Sequence, residues 1–285
     1  MLNNNMPRRS ALGLMSGIAA ASALPGVATA AAPATQDFGA PEAKLRTLLL
    51  LRGALDDRLV IYWMRGRYYG LVDGEITPLF GVLNACFSRY RAHKDGGFIA
   101  ARGEATHFTD FNTGEVMQTI RNPYTGKDMN SPVRSLNPSP VRIQADCVIT
   151  IAEAPGMRFQ NVVQDVDAQG DGVSISERSM SKTPVPGGKP SVFNELITYR
   201  GKASDLSRPG IKRAPCDTSV TSTVSWRSWM GMDDHPGHLL AAGAGTFVSS
   251  AEELPPAWIK ATSVANPTMV NDPHSFLAPV WDTMN

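Results

Sequence analysis

Cysteine is scarce in this chain, with only Cys86, Cys147 and Cys216, widely spaced and without a C-x-x-C pair. At most one disulfide could form, which excludes a disulfide-stapled scaffold. A surplus of charge is also missing: 27 Lys and Arg stand against 26 Asp and Glu, for a formal net charge of +1. Nucleic-acid binding needs an excess of Lys and Arg, and disorder needs low hydrophobicity with high net charge. With 42% hydrophobic residues, the chain reads as an ordinary globular protein with no electrostatic reason to seek nucleic acid. There is no G-x-S-x-G nucleophile motif and no glycine-rich phosphate loop. Gly243-Ala244-Gly245 lacks the third glycine and the strand-to-helix setting of a dinucleotide fingerprint. The common hydrolases, kinases and Rossmann dehydrogenases are thereby excluded, and no cofactor is expected. Acid–base chemistry stays open.

The first thirty residues read as an address. Arg8 and Arg9 precede an Ala-, Gly- and Leu-rich run, Ala11 to Leu24, which is followed by Pro25 and the small-residue sequence Ala28-Thr29-Ala30. A positive segment, an apolar segment and an A-x-A site make an export signal. The apolar run is shorter than the roughly 20 residues that span a bilayer and is interrupted by Gly13, Ser16 and Gly17, so no permanent membrane anchor is expected. The arginine pair in Pro7-Arg8-Arg9-Ser10-Ala11-Leu12 resembles the twin-arginine signal. That implies the twin-arginine export machinery as a partner and a periplasmic or secreted location. Removing residues 1–30 takes away two arginines and no acid, turning the net charge from +1 to −1.

What the chain has in abundance is turn chemistry. Its 25 glycines and 21 prolines, spread without a collagen period, point to many short strands. Residues 31–40 read as a flexible lead and 41–285 as a single β-rich domain. Pro41 to Leu55 sets Leu45, Leu48, Leu49 and Leu51 on a helical stripe opened by a proline. From Arg58 the pattern turns to β: Leu59 to Trp63 and Tyr68 to Val72, separated by Arg65-Gly66-Arg67, read as a hairpin. The turns Asp110 to Glu115 and Asn122 to Lys127, twelve residues apart, each pair an Asx side chain with a glycine able to take positive φ. They read as the corners of a meander. Further strands are expected over 141–151, 160–166, 173–179, 192–199, 220–226 and 238–248. Ser250 to Glu253 is a capping box leading to a short helix near 257–264. About ten strands with a helix before and after them must manage their edges. Closure into one antiparallel barrel, a mainly β, lipocalin- or calycin-like meander with flanking N- and C-terminal helices, is the economical answer, and a two-sheet sandwich is the alternative.

Read in order, Trp63 with Gly66 and Tyr69, Leu79-Phe80, the two Thr-Gly turns, Trp226 with Trp229-Met230-Gly231-Met232, Pro236-Gly237 and Leu254-Pro255 form a recognisable series. It resembles the bacterial and fungal proteins grouped as Domain of Unknown Function family 1838, over about residues 58–282. The resemblance implies no established activity. Ile120 stands where the family pattern suggests a Trp, and Asn137-Pro138-Ser139-Pro140-Val141 replaces a tighter Asn-Asp-Pro-Val.

Two possible ion sites carry simpler readings. His235-Pro236-Gly237-His238, after Asp233-Asp234, offers zinc-type ligands, but Pro-Gly puts the pair on a turn rather than on one helix face. Asp165 to Asp171 spaces oxygen donors as a calcium loop does, yet Ser176 stands where a bidentate Glu is required. Both read as turns, and no metal is expected.

Acid–base chemistry needs a titratable group facing a dry pocket, which in a barrel means the inward face of a strand. Glu104 and His107, three apart, point to opposite faces, so only one can face in. Glu195 and Tyr199, four apart, share a face. The candidate catalytic residues are Glu104 or Glu195 as base, with His107 or Tyr199 as acid or oxyanion donor. Trp63, Tyr69, Trp226, Trp229 and Met230 are candidates for a ligand-binding wall, and Arg121 for anchoring a ligand carboxylate. The expectation is an exported, cofactor-independent enzyme of isomerase, cyclase, lyase or hydrolase type, acting on a small apolar or aromatic molecule in a barrel cavity. The alternative is a lipocalin-like carrier, which needs the cavity but no inward titratable group.

Overall fold

The computed structural model describes residues 37–154, 157–183, 190–232 and 234–284. The expected leader and residues 31–36 of the lead lie outside the described residues. In chain order the elements are α1 (Pro41–Arg52), β1 (Leu59–Val72), β2 (Glu75–Ala92), β3 (Phe98–Thr109), β4 (Thr119–Arg121), β5 (Asp128–Asn130), β6 (Arg134–Ile143), β7 (Ile149–Ala154) and β8 (Met157–Val163). There follow β9 (Asp167–Gln169), β10 (Gly172–Thr183), β11 (Ser191–Lys202), α2 (Ala203–Leu206), β12 (Asp217–Val224), β13 (His238–Val248), α3 (Pro256–Ala265), α4 (Pro267–Asn271) and α5 (Pro273–Trp281).

Ten strands close into an antiparallel up-and-down barrel in the order β1-β2-β3-β6-β7-β8-β10-β11-β12-β13, with β13 returning to pair with β1. Every barrel strand pairs with its neighbours along the chain, and closure removes the unpaired edges that an open sheet would expose. The two Thr-Gly turns do make hairpins, but β4 and β5 form a two-stranded sheet of their own, outside the barrel ladder.

The expected hairpin at Arg65-Gly66-Arg67 is replaced by one continuous strand, β1. Gly66 marks a close approach, not a turn. It pairs directly with Gly243, and a Cβ on Gly243 would lie 2.8 Å from the Arg65 carbonyl oxygen and 2.9 Å from the Gly66 Cα. The actual turn is Asp73-Gly74, with φ of 51° and 86°, the two positive values that a tight two-residue hairpin loop demands.

The two ends of the barrel are filled differently. Leu48, Leu49, Leu50 and Leu51 of α1 are all buried, so the C-terminal half of this helix is enclosed on every side rather than along the one expected stripe. They cluster with residues from eight barrel strands, among them Ile143, Ile149, Val173 and Ile175, so α1 sits inside that end as a plug. Glycines make room for it: a Cβ at Gly201 of β11 would lie 2.5 Å from Leu51 Cδ2. At the other end the β4–β5 hairpin and the short turn Ser228–Met230 pack over Phe80, Phe108, Val224 and Leu239. Asn122 fastens this lid. Its Oδ1 accepts from the Tyr124 amide at 2.9 Å, and its Nδ2 donates to the Met230 carbonyl at 2.9 Å.

Helices α3 to α5 lie against the outside of the barrel, on a second cluster built from Ile61, Leu83, Ala85, Phe87 and Ala101. Each begins with a proline, where the missing N–H costs nothing. The Ser250–Glu253 capping box forms as read from the sequence.

Gly201→Val is expected to lower the unfolding free energy by about 1–3 kcal/mol, the usual cost of overpacking a well-filled core. Urea unfolding at neutral pH measures it.

Candidate active site

The barrel encloses a cavity of about 720 Å³ between plug and lid. Strand period decides which side chains enter it. On β3, Arg102, Glu104, Thr106 and Phe108 line the cavity, and the same alternation turns His107 outward. There its Nε2 lies 2.7 Å from Thr262 Oγ1 and its ring meets Trp258 edge-on. Burial holds the His107 pKa below its ordinary value. On β11, Phe193, Glu195, Ile197 and Tyr199 line the cavity together, so Glu104, Glu195 and Tyr199 share one interior and His107 does not.

The wall candidates divide in the same way. Trp229 lines the cavity, its ring 5.2 Å from Phe108 and 5.6 Å from Phe80. Trp63 falls on the outward face of β1 against the α3–α5 cluster. Tyr69 also leaves the interior, and its ring packs edge-on against Phe111. Arg121 is exposed on the β4–β5 hairpin, 3.3 Å from Asp128. Trp226 belongs to the lid, with Tyr124 and His235 against its ring, and Met230 is buried in that lid. Among the described residues, no group of three or more His, Cys, Asp and Glu side chains clusters as metal ligands.

At the cavity floor the plug delivers a charge. Arg52, the last residue of α1, donates from Nε to Glu177 Oε2 at 2.7 Å and from Nη1 to the Tyr90 hydroxyl oxygen at 3.0 Å. Tyr199 donates to the same Glu177 oxygen at 3.2 Å, and Asn161 Nδ2 donates to Glu177 Oε1. Burial opposes the charge on Glu177, but the guanidinium and the two further donors outweigh it and hold this carboxyl below its ordinary value. Sequence reasoning missed Arg52, Glu177 and Asn161. The one available signal was the inward register Val173, Ile175, Glu177, Ser179 on β10, in which a carboxylate interrupts an apolar face.

The middle of the cavity is different in kind. Glu195 lies opposite Ser179 of β10 on one side and Ser222 of β12 on the other, all three facing inward. Across the interior Glu104 is ion-paired with Arg102. A register shift between Arg102 and Glu104, against the proline-bearing β6, falls at this place, as bulges commonly do beside sites. Enclosure by protein raises the Glu195 carboxyl first. The negative charges of Glu104 and Glu177 raise it further, Arg102 and Arg134 pull it back in part, and the result is about 7. A carboxyl poised there can both take and give a proton at neutral pH.

The cavity opens near Val133, Ser191 and the Arg227–Trp229 turn, where lining residues regain exposure. These features define a class: a closed up-and-down β-barrel, plugged by its N-terminal helix, with titratable side chains on the wall of an internal cavity. The chain belongs to the family described as protein of unknown function (DUF1838), whose model matches residues 57–279. That span takes in all ten barrel strands and leaves α1 outside it. No curated protein matches the chain.

Glu195 also ties stability to pH. With its carboxyl raised from 4.5 to about 7, the folded protein keeps a proton there that the unfolded chain has released between those values. The stability this group contributes is therefore full below the lower value and lost as pH rises through the upper one. Glu195→Gln is expected to exceed the wild type in stability by up to about 3 kcal/mol at pH ~8. At pH ~4 the two should be indistinguishable. Urea unfolding at both pH values checks this.

Proposed function

We propose that this protein is an enzyme that moves protons on a small molecule held in the barrel cavity, with Glu195 as the general acid–base group. The observation that carries this reading is geometric: Glu195 stands on the cavity wall between two serines, facing a second carboxylate that is already ion-paired. Two carboxylates in one interior with unlike surroundings are a recurring acid–base arrangement. Burial and the neighbouring negative charges of Glu104 and Glu177, which push the Glu195 carboxyl up to about 7, support it. A carrier needs the space alone, whereas an enzyme also needs inward titratable groups, and Glu104, Glu195 and Tyr199 provide them. The apolar side chains Met64, Phe108, Ile197, Val220 and Phe247 along the same wall suit a ligand with a substantial apolar body. No cofactor enters the proposed chemistry.

The proposal extends to location. Arg8-Arg9, the apolar run and Ala28-Thr29-Ala30 support export by the twin-arginine route and a periplasmic or secreted site of action. Replacing Arg8 and Arg9 together by Lys is expected to leave the protein in the cytoplasm on cell fractionation, and undiminished export would remove that route.

Native mass spectrometry of protein purified from its own source, followed by identification of the co-purified molecule, tests the enzyme reading. With that molecule as substrate, Glu195→Gln is expected to lower turnover by about 10²–10⁴-fold, and the wild-type rate should climb as pH rises through about 7. Turnover retained by Glu195→Gln and Glu104→Gln combined would defeat the proposal.

A further inference from the structure

Strand period carries Asn161 of β8 onto the cavity wall, and pairing sets its level. Asn161 lies opposite Ser179 of β10, and Ser179 lies opposite Glu195 of β11. The three side chains form one polar row across the wall, with Ser222 continuing it beyond Glu195. Asn161 and Glu195 are two strand steps apart, about 10 Å along the wall. Ile151, Ile197 and Val220 line the same cavity and give it apolar surface beside that row.

The Asn161 amide is held in one orientation. Its Nδ2 donates to Oε1 of Glu177, which Arg52 keeps ionised. Turning the amide over would set Oδ1 against a carboxylate, acceptor against acceptor. The oxygen therefore points away from Glu177, and there it meets no donor: Asn161 is 2% exposed and its Oδ1 is buried without a hydrogen-bond partner. Buried acceptors are normally satisfied, because an unmade hydrogen bond leaves the cost of desolvation uncompensated. Of the buried side-chain atoms in this condition among the described residues, Asn161 Oδ1 alone belongs to a residue that lines the cavity.

The surroundings restrict what can supply the missing donor. Arg52 already offsets the charge of Glu177, so this end of the row has no surplus negative charge to hold an ammonium group, and a neutral donor suits it. A hydroxyl both donates and accepts: it can give its proton to Asn161 Oδ1 and accept from the Ser179 hydroxyl on the adjoining strand. We infer that the cavity takes an apolar molecule bearing a hydroxyl group, an alcohol or phenol, and that Asn161 and Ser179 form the subsite that holds this hydroxyl. This rests on the reading of the cavity as the place where substrate is held. It also gives the substrate a shape, with the hydroxyl about two strand steps from the atom that Glu195 serves. A site built round a substrate hydroxyl rejects the analogue lacking it, because the buried acceptor is then left unpaired. Asn161 is in this arrangement a specificity-determining residue rather than a catalytic one.

The test compares 2-naphthol with 2-methoxynaphthalene, which share a ring system but differ in having a proton to donate, by calorimetric titration at pH ~7, where a phenol is un-ionised. The wild type is expected to bind 2-naphthol about tenfold more tightly. Asn161→Leu, similar in volume, should bring the two affinities within about twofold by weakening 2-naphthol alone, and retained binding of the methyl ether shows that fold and cavity survive. Ser179→Ala leaves the Asn161–Glu177 contact in place and should lower the preference about threefold, so it carries the test where Asn161→Leu does not fold. Glu195→Gln should keep the preference. Equal binding of the two compounds by the wild type, the result if ordered water already satisfies Asn161, overturns this inference and leaves the acid–base reading standing. A preference that Glu195→Gln abolishes and Asn161→Leu keeps does the same, because the hydroxyl then sits on the acid–base carboxylate. Failure of the wild type to bind either compound overturns the inference together with the reading on which it rests.

Discussion

An arginine and a glutamate buried at the barrel floor are the constraint on which the interior depends. Neither could be there alone: an unpaired charge in such surroundings costs several kcal/mol, and removing one partner of a buried pair typically costs about 3–5 kcal/mol. Arg52 comes from α1 and Glu177 from β10, so the pair also sets how far the plug enters and with which face. Leucines supply the driving force for burying α1, about 1.5–3 kcal/mol for each side chain fully removed from water. They do not specify its depth or rotation as a directional hydrogen-bonded pair does. The pair reaches further still, since the negative charge of Glu177 helps to raise the Glu195 carboxyl.

The cavity thus has two regimes. Its floor is a connected network in which Arg52, Tyr199 and Asn161 all donate to Glu177 and Arg52 also donates to Tyr90, with Asn161 Oδ1 left buried without a partner, and such connection restrains these side chains. Above it the polar groups face space: Glu195 between its serines, the Arg102–Glu104 pair across the interior, and Tyr68 near the lid. Rigid support under a less committed layer is what precise positioning of reacting groups requires. The aromatic cluster of Phe80, Phe108 and Trp229 covers part of the middle layer beside the opening, and charges interact more strongly wherever protein replaces water.

Much of this was legible in the sequence through strand period alone. A spacing of three from Glu104 to His107 meant opposite faces, and a spacing of four from Glu195 to Tyr199 meant one face; both relations hold in the barrel. Period does not say which face is inside, so Trp63 and Tyr69 could be placed on the wall by chemistry while their register turns them outward. The hairpin expected at Gly66 shows another limit. Glycine marks a turn and a close strand contact with the same letter, and only the partner Gly243, far along the chain, distinguishes them. Asp73-Gly74 was a better turn signal, and taking it would have joined β1 into one strand and exposed the long β2 behind it. Arg52 and Glu177 are 125 positions apart, and no local pattern announces such a pair.

The seam between β1 and β13, where Ile61 faces Val248, joins the first barrel strand to the last. Contacts this distant in sequence form late and slowly, because the loop they close must be ordered before it is rewarded. Until that seam zips there is no interior, only a curled sheet with two raw edges and an α1 without a socket. The environment that tunes Glu195 therefore exists only once this long-range seam has closed. A chain halted before β13 would carry every residue of the floor and yet possess no site at all.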